Sequence, residues 1–131
     1  MLERIWKARR DERGFTLIEL IMVLVILGIL LALALPAYLG TRKKAYLAEA
    51  DQNLQEMRTQ AWLYYVEKGT FVGFSGTPAT SPSWTYSFGT PAATQITMTA
   101  DANAVGPLSG SELVTLTLSG NGTASVTSSG F

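Results

Sequence analysis

With 131 residues, the chain has room for one modest domain. Ten Lys and Arg balance ten Asp and Glu, and there is no Cys and no His. Disulfides, thiol nucleophiles, Cys/His metal sites and histidine acid–base chemistry are thereby excluded, and the Ser/Thr-rich half after Lys68 has no basic residue to attract nucleic acid.

Residues 1–14 form a basic leader, in which Arg4, Lys7, Arg9, Arg10 and Arg13 outnumber Glu3, Asp11 and Glu12. From Leu20 to Leu35 no polar side chain occurs, and the wider stretch Phe15 to Leu39 holds one charge, Glu19. At about 1.5 Å per residue, such a segment is long enough to cross a hydrocarbon core of about 30 Å as a helix. Only a helix satisfies its own backbone there. The basic leader keeps residues 1–14 cytoplasmic by the positive-inside rule, against the weaker opposite bias of Arg42, Lys43 and Lys44. A cleavable secretory signal is the rival reading, with Ala34 near a poor cleavage site. Glu19 argues against it, because a charge inside the apolar region serves no purpose in a signal peptide.

Glu19 is costly within an apolar span, and an acid there marks function by default. A cut between Gly14 and Phe15 would create an α-amino group one helical turn before it. That amine can pair with Glu19 of the same chain or of a neighbour. The plain alternative is a carboxylate near the membrane surface that snorkels or stays protonated.

Past the span, Leu47, Ala50, Leu54, Met57 and Ala61 recur at helical spacing, with Tyr64 and Tyr65 continuing the stripe. Lys68 and Gly69 mark the helix end. If Pro36 and Gly40 only bend it, the helix continues from 15 to 67. Pro36 removes the bond to the Ala32 carbonyl. The glycines and prolines of 69–83 predict a loop. The period then falls to two in Trp84–Phe88, Ile96–Ala100, Val114–Leu118 and Ala124–Val126, with an Asn121-Gly122 turn before the last. Asn121-Gly122-Thr123 also fits a glycosylation sequon, although the turn explains it. The expected fold class is α+β, a long N-terminal helix laid on a small antiparallel meander. Trp84, Tyr86, Phe88, Leu116 and Leu118 should pack on the helix, while Asp101 and Glu112 read as isolated surface carboxylates.

Gly14-Phe15-Thr16-Leu17-Ile18-Glu19, after a basic leader and before Leu20–Leu35, resembles the N-terminus of type IV pilins and type II secretion pseudopilins. The resemblance covers about residues 9–45, and Tyr64-Tyr65-x-x-x-Gly69-Thr70-Phe71 is similar to the helix exit of several members. It implies cleavage after Gly14 by a prepilin peptidase, N-methylation of Phe15, and an acidic Glu19 that recruits each subunit through a neighbour's amine. It also marks Gly28, Pro36 and Gly40 as places of helix kinking or melting in the filament. The organisation it implies is a leader at 1–14, a membrane and filament-core helix at 15–40, an amphipathic continuation at 41–68, a loop at 69–83 and a sheet at 84–131. The implied partners are identical subunits, the peptidase and methyltransferase, an assembly platform, minor pilins and, before assembly, the inner membrane. No metal, cofactor, nucleic acid or catalytic activity is expected. A pilus subunit is the leading reading and a secretion pseudopilin the second. A single-pass anchored enzyme or sensor is a remote third, with almost no chemistry left to it.

Overall fold

A computed structural model describes residues 14–131, so most of the leader lies outside the described residues. The chain divides after Tyr38 into two units. Helix α1, Leu17–Lys68, supplies the first unit and enters the second.

In the first unit every residue from Gly14 to Tyr38 is exposed, large apolar side chains included. Apolar surface on all sides of a helix is not stable in water and requires lipid or other apolar helices around it. By length and composition α1 can cross a membrane. It stays helical through Gly28, Pro36 and Gly40.

The second unit, Leu39–Phe131, is the expected α+β arrangement. Strands β1 (Trp84–Phe88), β2 (Gln95–Ala102), β3 (Leu113–Ser119) and β4 (Ala124–Ser129) form one antiparallel sheet in sequence order. The pairing sets Tyr86 opposite Ala100, Met98 opposite Leu116, and Leu116 opposite Val126. Period-two alternation sends Trp84, Tyr86, Ile96, Met98, Ala100, Val114, Leu116 and Leu118 into the core. Thr85, Ser87, Thr97, Thr99, Thr115 and Thr117 therefore lie on the opposite face. From α1 the core takes Ala50, Leu54, Met57 and Ala61, all fully buried, with Leu47 and Tyr65 packed at its margin.

Two expectations are adjusted. Phe88 is only partly buried, and Tyr64 turns to the loop, where its hydroxyl donates to the Val72 carbonyl at 3.1 Å and its ring meets Phe74 edge-on. The loop itself is anchored by Phe71, which is fully buried. The Asn121-Gly122 turn is where the sequence puts it, but Asn121 has no positive φ and Gly122 has +85°. A two-residue I′ hairpin needs positive φ at both central positions. Here Gly122 N–H closes on the Ser119 carbonyl at 2.9 Å and the left-handed glycine follows the turn.

Glu112 differs most from its reading as a surface carboxylate. It is 1% exposed and pairs with Lys43 Nζ at 2.8 Å. The backbone N–H groups of Ser109 and Gly110 donate to its Oε2 at 2.8 and 3.1 Å, and the Ser109 hydroxyl at 3.0 Å. Burial alone would push this carboxyl up, but Lys43 and those donors outweigh it and hold it at about 2. Lys43 also donates to the Gly130 carbonyl at 3.4 Å and lies 5.9 Å from the Phe131 ring centre. The pair therefore joins the helix to the segment before β3 and to the chain just after β4.

Candidate functional site at the helix start

The sequence-predicted site is the start of α1. Leu17 opens the helix, so Thr16 is its N-cap and Glu19 the third helical residue. Thr16 N–H and the Thr16 hydroxyl each donate to Glu19 Oε2 at 2.8 Å, while Glu19 N–H donates to Thr16 Oγ1 at 3.3 Å. The first helical bond follows, from Leu20 N–H to the Thr16 carbonyl at 3.2 Å. This is a reciprocal capping box. Its signature, Thr-x-x-Glu ahead of an apolar run, is present in the sequence, and reading Glu19 only as half of an ion pair overlooks it.

The cap has chemical consequences. Two backbone N–H groups that lipid would leave unsatisfied, those of Thr16 and Glu19, are served by side chains. The positive end of the helix dipole also favours a carboxylate there. One residue before Thr16 is Phe15, whose nitrogen becomes the terminal amine if the Gly14–Phe15 bond is cut. Glu19 Oε1 accepts no bond among the described residues, so one oxygen maintains the cap while the other remains available. Gly14 and Phe15 precede the helix and are exposed, Phe15 at 84%. The structure thus brings Thr16 and Glu19 together and places Gly14 and Phe15 just before the helix. Gly28, Pro36 and Gly40 are elsewhere along α1 and take no part.

Among the described residues no three carboxylates converge in a way that could hold a metal ion. Asp101 is an exposed residue of β2, and Glu112 is already neutralised by Lys43.

Comparison with known protein families falls on the same segment. A family profile described as the prokaryotic N-terminal methylation motif matches residues 9–35. The chain is similar to the type IV major pilin protein PilA of Myxococcus xanthus, 35% identical over 55% of this chain and 33% of that protein. A fimbrial protein of Neisseria meningitidis serogroup B is 40% identical over 47% of this chain and 36% of its own length. The type II secretion system core protein G of Dickeya chrysanthemi is 34% identical over 47% of this chain and 40% of that protein. In each case the chain spans between a third and two-fifths of the relative's length.

Proposed function

We propose, from the likeness of its N-terminal segment to type IV pilins and pseudopilins, that this chain is a structural subunit, not an enzyme, of an extracellular type IV pilus. One observation carries the reading: the exposed Gly14–Phe15 junction lies directly before the capping box whose carboxylate is Glu19. Before assembly the precursor is held by α1 in the inner membrane, leader inside and the second unit outside. Cleavage after Gly14 releases an amine at Phe15, which is then methylated and stays basic.

An incoming subunit brings Glu19 with Oε2 engaged by its own Thr16 and Oε1 directed to the amine of a neighbour. Pairing satisfies a charge that lipid disfavours, so assembly and neutralisation are one event. Burial of the apolar half of α1 among identical helices supplies the remaining driving force, and repeated head-to-tail contacts that do not close give a helical fibre. The assembly platform, minor pilins and the peptidase–methyltransferase are the partners that this pathway requires.

A pseudopilin of a secretion system is the second reading, supported by the similarity to core protein G. The Thr- and Ser-covered outer face of the sheet favours the pilus, since a long surface fibre exposes that face to water. Electron microscopy and mass spectrometry of fibres sheared from cells test the reading. The expected result is long fibres containing this chain without residues 1–14 and with one methyl group on Phe15. Unprocessed chain confined to membranes contradicts it.

A further inference from the structure

At the end of the sheet, next to the C-terminal turns of α1, lies an open groove of about 520 Å³. Its lining is Tyr65, Thr94, Gln95, Ser119, Gly120 and Asn121, drawn from α1, the β1–β2 connection with the start of β2, and the β3–β4 turn. We propose that this groove binds a neutral pyranose unit of a glycan.

The chemistry of the lining makes the selection. None of the six residues is charged, so neither a phosphate, a carboxylate nor a cation finds a counter-charge there. Every side chain except that of glycine ends in a hydroxyl or a primary amide. A sugar hydroxyl both donates and accepts, and a primary amide offers both functions side by side. Among the described residues, the Thr94 and Gln95 side chains and the Tyr65 hydroxyl make no hydrogen bond. Asn121 is oriented by its neighbour: Thr123 N–H and the Thr123 hydroxyl donate to its Oδ1 at 3.0 and 2.6 Å. That fixes the amide, leaving both N–H bonds of Nδ2 as donors.

The groove is also prearranged. The Tyr65 ring is held between Trp62, stacked at 5.6 Å, and Phe71 at 4.5 Å. Gly120 N–H donates to the Thr94 carbonyl at 2.8 Å and ties two walls together. A Cβ on Gly120 would fall 2.3 Å from the Tyr65 hydroxyl, so only glycine leaves that hydroxyl in place. An uncharged lining of hydroxyl and amide groups is suited to the hydroxyls of a sugar ring. The inference is independent of whether the chain polymerises.

Saturation-transfer NMR on the full chain in a sugar-free detergent tests it, with methyl β-D-galactopyranoside, methyl α-D-glucopyranoside and N-acetyl-D-glucosamine as probes. Transfer to the ring protons of at least one probe is expected. Gln95→Ala and Asn121→Ala should each weaken that binding on the order of tenfold, the loss of one or two neutral hydrogen bonds. Ser125→Ala, on β4 and outside the groove, should leave it unchanged. Gln95 is exposed, so its variant remains decisive if Asn121→Ala disturbs the turn. No transfer to any of the three sugars, or binding that survives Gln95→Ala at full strength, overturns the proposal.

Discussion

Replacing Glu112 by Gln removes one negative charge from a buried pair while keeping the side chain's shape. In the folded chain its carboxyl is held at about 2, against 4.5 for a free one. At about 1.4 kcal/mol per unit, that difference corresponds to about 3 kcal/mol of stability at neutral pH. Lys43 is one-third exposed, and solvent screening reduces the figure to roughly 2–3 kcal/mol. Because the folded value is depressed, the contribution is complete above 4.5 and is lost as pH falls through about 2. The assay is thermal unfolding of the full chain in detergent, followed by near-ultraviolet circular dichroism. Glu112→Gln should lower the midpoint by roughly 10–20 °C at neutral pH for a unit of this size. The gap between variant and wild type should shrink as pH drops from 4.5 towards 2. Lys43→Met, which leaves the carboxylate buried with only Ser109 and Gly110 as partners, should cost as much or more at neutral pH and little at the acid end. Equal midpoints at neutral pH, or a gap that does not shrink with acid, would refute the assignment of Glu112 as a charged pin.

Other consequences follow from packing. Leu54→Ala, at a fully buried position, should destabilise the second unit by about 2–5 kcal/mol in denaturant titrations. Leu63→Ala, at a position 65% exposed on the same helix, should stay within about 0.5 kcal/mol. Gly120→Ala should cost roughly 1–3 kcal/mol, because the clamped Tyr65 ring must move. A Tyr65→Phe background should relieve only part of that cost, since it removes the shortest contact, with the hydroxyl, but leaves ring Cζ at 2.6 Å, and a double-mutant cycle measures the relief.

Much of the fold was legible because periodicity is local. The stripe Ala50, Leu54, Met57 and Ala61 and the alternation in β1, β2 and β3 need only neighbours within two turns or two residues. The N-terminal motif is likewise contiguous, and the family profile matches it over residues 9–35. Thr16 is equally contiguous, and its pairing with Glu19 follows the local Thr-x-x-Glu spacing. Glu112 was not legible: its partner Lys43 is far away in sequence, and no local pattern announces that the two meet. Phe71 was similarly hidden, since a glycine-rich stretch with no period gives no sign of which side chain turns inward. The groove at Tyr65 depends on three separate segments and required the tertiary structure.

The central claim is that Glu19 serves assembly as a charge, beyond its service to the helix as a cap. Glu19→Gln separates the two roles, because glutamine at the third helical position still completes a capping box but carries no charge. The decisive measurement is the amount of this chain recovered in fibres sheared from cells expressing Glu19→Gln, alongside the processed chain remaining in the membrane. The account predicts processed, membrane-held, folded subunit with fibres lost. Fibres at wild-type yield from Glu19→Gln would contradict it and leave Glu19 a helix cap alone.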